Sequence, residues 1–187
     1  MQEAVDAWQS QYAGQPPVGF MLHFTHESVW TRLRFVREGA PPDDDEAQLI
    51  ASRFDTVASS LFTGANVLAL TIELVAGRAD ASALRDLGAT SISPPGSWIE
   101  ALGGYLPDPA TASFMGATVT WQRGCLDGVW LAVAHEWAGR VAVFCPATGD
   151  AMCPYDGGAD VFIWAAERRA KMAERFKAWV PRAAPAL

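Results

Sequence analysis

The sequence predicts an α+β fold, a meander-rich antiparallel sheet with two long helices packed on it. Three observations carry this. Apolar residues recur at helical spacing in two extended stretches, Asp44–Phe62 and Ala165–Val180. Short apolar or alternating runs, bounded by glycine and proline, fill most of the remainder. The chain has 187 residues, half of them apolar and 19% charged, which suits a single domain over 1–187 with its own core rather than a disordered chain.

The elements follow in order. Residues 3–13 read as a short helix with Val5, Trp8 and Tyr12 on one side, ended by Gln15-Pro16-Pro17. Val18–Phe24 reads as a nearly continuous apolar strand. Val29–Arg37 alternates: Val29, Thr31, Leu33 and Phe35 point one way, Trp30, Arg32 and Arg34 the other. Thr25–Ser28 is then the hairpin between these strands. After the break at Gly39-Ala40-Pro41-Pro42, Ile50, Phe54, Val57 and Leu61 form the stripe of the clearest helix, with Gly64 as its stop. The acids Asp43 to Glu46 complement its N-terminal dipole, a simpler reading than a cation site.

Asn66–Val75 reads as a buried strand and Asp80–Leu87 as a short helix. Residues 77–112 are otherwise an irregular excursion around Trp98–Leu102. Phe114–Trp121, Gly128–Trp137 and Arg140–Cys145 read as strands, with Asp127-Gly128 and Ala138-Gly139 as hairpin signals. Ala151–Cys153 is a further short strand, and Val161–Trp164 an apolar burst before the last helix, whose buried stripe is Met172, Phe176, Trp179 and Val180.

Composition excludes several functions. Fourteen basic against 21 acidic residues give a net charge of −7, which disfavours nucleic acid and anionic membranes as partners. The segment Ala165–Arg182 has six basic and two acidic residues, hence +4 against −11 elsewhere; a solvated helix face explains it. No export signal opens the chain, so the expectation is a cytoplasmic protein with three reduced cysteines. Eight tryptophans supply core, with indole N–H groups suited to binding surfaces as well.

Reaction signatures are absent. His23, His26 and the neighbouring Glu27 resemble a ligand group, but a strand reading separates the histidines and no spacing supplies further ligands; no metal and no cofactor are expected. Cys145-Pro146 and Cys153-Pro154 fit a tight hairpin in which Thr148-Gly149-Asp150 places the two cysteines opposite each other. Neither Leu102-Gly103-Gly104 nor Asp156-Gly157-Gly158 has the lysine and hydroxyl of a phosphate loop. The Pro154–Asp160 segment is the most unusual, and a structural turn is its simpler reading. If a ligand site exists, it combines Arg32 or Arg34, each suited to carboxylate or phosphate, with Tyr155, Asp156 and Asp160.

Pro17-Val18-Gly19, Trp30-x-Arg32, Pro154-Tyr155-Asp156 with Asp160, and Trp179 give the layout a resemblance to a group of uncharacterised bacterial proteins. That resemblance covers the two ends of the chain and implies no activity. By analogy of size and charge alone, some small acidic bacterial proteins neutralise toxins. The leading expectation is therefore a non-enzymatic binding or regulatory module engaging another macromolecule, immunity-like, with another protein as partner. The alternative is a small enzyme or small-ligand binder using the Arg32/Arg34 face and the Tyr155–Asp160 loop.

Overall fold

Helical spacing finds its structure most directly at α3 (Asp44–Phe62), in a computed structural model that describes residues 1–36, 42–62, 64–74, 82–106, 108–137 and 140–181, with the backbone alone over 68–74 and at 110. The Asp43 carboxylate accepts the Glu46 N–H at 2.9 Å and caps the helix, while Ile50, Phe54 and Val57 are fully buried. Gly64, at φ 71°, supplies the left-handed turn that ends it.

Seven strands make one antiparallel sheet: β1 (Trp30–Arg34), β2 (Asn66–Leu74), β3 (Thr90–Ile92), β4 (Ala112–Thr120), β5 (Val141–Phe144), β6 (Ala151–Tyr155) and β7 (Gly158–Phe162). Their spatial order is β1-β7-β6-β5-β2-β4-β3, so β5, β6 and β7 form the expected meander. Asp156-Gly157 is the two-residue turn between β6 and β7, a structural role for the unusual segment.

Side chains alternate between two cores, because neighbours on a strand point to opposite faces. Val143, Met152 and Val161 face α3 together with α4 (Ser82–Asp86), α6 (Asp127–Ala134) and α7 (Ala166–Arg175). Phe144, Ala151 and Phe162 face α1 (Gln2–Gln11), α2 (Gly19–Thr25) and α5 (Gly96–Leu102). The α+β class with an antiparallel sheet holds, and helices cover both faces of that sheet. Among the described residues no helix is long and apolar enough to cross a membrane.

Three expectations are corrected. Val18–Phe24 is not a strand: α2 buries Val18, Met21 and Leu22 at helical spacing and leaves Phe24 70% exposed. An apolar run of this length carries no strand-specific signal, and Thr25–Ser28 is consequently not a hairpin but leads through a 3-10 turn into β1. Gly128–Ala134 likewise belongs to α6, with His135–Trp137 in the turn after it; the run from Val129 to Ala134 is wholly apolar, which leaves its helical period without contrast. Asp127 opens that helix instead of a hairpin. Finally, Cys145 and Cys153 are not opposite one another. The register pairs Phe144 with Ala151, and the Cys145 N–H donates to the Asp150 carbonyl, so the turn has four residues. The cysteines therefore point into different cores, and both are free thiols. Residues 37–41, 75–81, Pro107, Ala138-Gly139 and Arg182, which belong to expected strands, turns and the basic tail, lie outside the described residues.

Candidate functional site

β1 pairs antiparallel with β7 so that Arg32 stands opposite Asp160, and β7 pairs with β6 so that Asp160 stands opposite Cys153. The three lie on the sheet face covered by α2. Gly19, in the first turn of α2, makes that cover close: a Cβ there would be 2.8 Å from the Cys153 Cβ and 3.4 Å from an Asp160 carboxylate oxygen. Only glycine lets the helix come down this far.

Asp160 is almost wholly buried and accepts three hydrogen bonds. Trp30 Nε1 and Arg32 Nε each donate to Oδ1 at 2.8 Å, and Arg32 Nη2 donates to Oδ2 at 3.0 Å. The fork is bidentate, the geometry in which guanidinium meets carboxylate best. Arg32 also lies over the Trp30 and Tyr155 rings, at 5.3 and 5.6 Å. Its hydrogen bonds to Asp160 hold its pKa above the usual arginine value.

Beside this clamp opens a cavity of about 230 Å³, bounded by the start of α2 (Val18, Gly19, Phe20), by Arg32 and Asp160, by Cys153, Pro154 and Tyr155 of β6, and by Arg140 and Val141. Arg140 differs from Arg32 in one respect. Among the described residues its Nη1 is buried with no acceptor within hydrogen-bond distance, and no carboxylate forms an ion pair with it. Loss of water lowers its pKa below the ordinary arginine value, and its guanidinium stands 6.0 Å from the centre of the Phe20 ring. Its backbone is left-handed, φ 60°, which for a residue other than glycine costs on the order of 1 kcal/mol.

Tyr155 and Cys153 hold their protons. Burial, reinforced by the Asp160 charge, pushes the Tyr155 phenol up to about 12. The same two causes in the same order raise the fully buried Cys153 thiol well above its ordinary value. A protonated phenol and thiol supply neither a general base nor a nucleophile near neutral pH. The Tyr155 hydroxyl instead donates to the Leu33 carbonyl at 3.3 Å. The cavity thus presents the Arg140 cation, a phenol and apolar walls beside the Arg32–Asp160 pair.

Of the residues picked from the sequence, Arg32, Tyr155 and Asp160 come together at the cavity. Asp156 is exposed at the β6–β7 turn, and Arg34 is exposed two residues beyond Arg32, neither one lining the cavity. Arg32 already has its carboxylate, so its charge is matched within the fold. Sequence reading missed Arg140 and Phe20. Treating Val18–Phe24 as a strand hid Phe20, and no local pattern marks Arg140 as left-handed. The two histidines part company: His23 stacks on Trp30 with ring centres 4.3 Å apart, while His26 packs edge-on against Tyr12 at 5.3 Å and Trp164 at 5.7 Å. Among the described residues no three His, Cys, Asp or Glu side chains gather as a metal site would require.

A family model described as a domain of unknown function (DUF3885) matches residues 22–183. That range contains Arg32, Arg140, Tyr155 and Asp160, and begins just after the α2 wall of the cavity. No curated protein matches the chain. No solved structure matches it either.

Proposed function

The chain belongs to the DUF3885 family, and from that premise we propose that it is a non-catalytic binding module whose cavity captures one singly charged anionic group. A single observation carries the reading: a buried Arg140 nitrogen without an acceptor among the described residues, on the wall of an open cavity. A guanidinium that is partly buried with one nitrogen unpaired is unfavourable, and an entering anion relieves it with charge-assisted hydrogen bonds. One open cation calls for one negative charge. The Arg32 charge is matched by Asp160, whose carboxylate would repel a doubly charged phosphate in the same space.

The test is a titration of the protein with sodium acetate, with inorganic phosphate and choline chloride as comparisons, followed by amide chemical shifts. Acetate should shift the resonances of residues 18–20, 140–141 and 153–155 in the native protein, and Arg140→Gln should abolish the response while melting normally. Equal shifts in the native protein and the variant would overturn the reading.

A protein partner is the second reading, in which a bacterial, cytoplasmic, immunity-like module takes its anion from an acidic group on another chain. The observation favouring it is aromatic exposure: Phe24, Tyr105 and Trp137 are 70, 52 and 57% exposed, and such surface is enriched at interfaces.

A further inference from the structure

Phe20 gives the cavity an aromatic wall, and the aromatic surface does not stop at the rim. Phe20, on the first turn of α2, lines the cavity, stands under the Arg140 guanidinium and is 36% exposed. Its ring meets that of Tyr105 edge-on, with centres 5.1 Å apart, and Tyr105 is itself half exposed. The pair is thus fixed in geometry while part of each ring faces solvent. Val18, Val141 and Pro154 complete the apolar lining. A bare acetate would fill only a fraction of about 230 Å³, since one water accounts for about 30 Å³ of liquid, and would leave the rings wet.

We infer that the ligand is an aryl-bearing monocarboxylate, its carboxylate on Arg140 and its ring against Phe20. This rests on the anion reading above and adds the body to which the anion is attached. A planar ring packed on Phe20 gains apolar burial and an aromatic contact while keeping the carboxylate within reach of the guanidinium beside it. Phe20 is then the residue that selects among anions, and Arg140 the residue that admits them. The same chemistry comes from two sources, a free aryl acid or the carboxylate of a C-terminal phenylalanine.

Isothermal titration with acetate, cyclohexylacetate, phenylacetate and the peptide Gly-Gly-Phe, with free and amidated C-termini, separates the possibilities. Phenylacetate should bind at least about tenfold more tightly than acetate, the scale expected for sheltering a ring. Phe20→Ala should weaken phenylacetate about tenfold more than it weakens acetate, and Phe20→Leu should do so less. Far-UV dichroism and melting guard against misfolding, and Phe20 is exposed enough for both variants to fold. Tighter binding of the free-acid peptide than of phenylacetate, lost on amidation, assigns the ligand to a chain terminus; the reverse assigns it to a small molecule. Acetate binding that depends on Arg140 with no gain from the phenyl group overturns this inference and leaves the anion reading standing. If no carboxylate binds, the anion reading itself fails. An equal gain from cyclohexylacetate overturns the requirement for an aromatic body.

Discussion

Four arginines divide into two kinds. Arg32, Arg123 and Arg168 each meet a buried aspartate, namely Asp160, Asp55 and Asp150. Arg140 is partly buried beside the first of these pairs and meets no carboxylate among the described residues. The three pairs tie segments distant in sequence: Arg32 joins β1 to β7, Arg123 joins the turn before α6 to α3, and Arg168 joins α7 to the β5–β6 turn. An arginine with its carboxylate already in place is scaffold. One without it, on the wall of a cavity, is where a ligand can add something the fold lacks.

The comparison breaks most readily at Asp160. Asp160→Ala strands the Arg32 fork and the Trp30 N–H. It should cost about 3 kcal/mol in urea unfolding, the low end for a broken pair because Arg32 is a third exposed. A midpoint equal to that of the native protein would show that the clamp is not scaffold.

Gly19→Ala comes next. The new methyl group meets the Cys153 Cβ at 2.8 Å, so α2 must lift from β6. About 1–3 kcal/mol should be lost, with the carboxylate response weakened in parallel. A variant of native stability and native binding would mean that the helix has room to spare.

Arg140→Gln is the sharpest contrast with Asp160→Ala. Stability should change by less than about 0.5 kcal/mol while anion binding disappears. A loss as large as that of the Asp160 variant would place Arg140 among the scaffold arginines.

Tyr155 acts through pH alone, with no effect near neutrality. Its folded pKa, about 12, lies above the ordinary value of 10.0, so the unfolded chain loses the phenolic proton first as pH rises. Stability linked to this group is complete below about pH 10 and is lost between there and about 12. Absorbance titration of the folded protein, compared with Tyr155→Phe, should show one tyrosinate transition missing near 12. A transition near 10 would mean that the phenol is not shielded by burial.

Where the sequence carried a periodic signal, it was legible. α3 is found to the residue because a polar face gives its apolar stripe contrast, and the β1 alternation survives because one face is core and the other holds Trp30 and Arg32. α2 and α6 were misread for the opposite reason: short, mostly apolar runs have no contrast to reveal their period. Half the site shared these fates. Arg32, Tyr155 and Asp160 were read from side-chain chemistry, and the structure brings them together. Phe20 vanished into a misread run. Arg140 became visible only when the sheet folded and left it without a partner, a property of an environment and not of any local spacing. The Cys145–Cys153 expectation failed on turn length, since four residues rather than three between the strands send the thiols to opposite faces.

The β1–β7 pairing also has a consequence in time. Arg32 and Asp160 are 128 residues apart, and among the described strands β1 pairs with β7 alone. A ribosome adding about 5–20 residues each second needs roughly 6–25 s to travel that distance. Throughout the interval β1 is an edge without its sheet, and such long-range closure is a slow kind of contact to make. The rest of the meander, β5 and β6, can pair before β7 has been synthesised. A nascent chain stopped short of β7 therefore carries α2, Arg32 and Arg140 in full and still lacks Asp160, the carboxylate that pairs with Arg32.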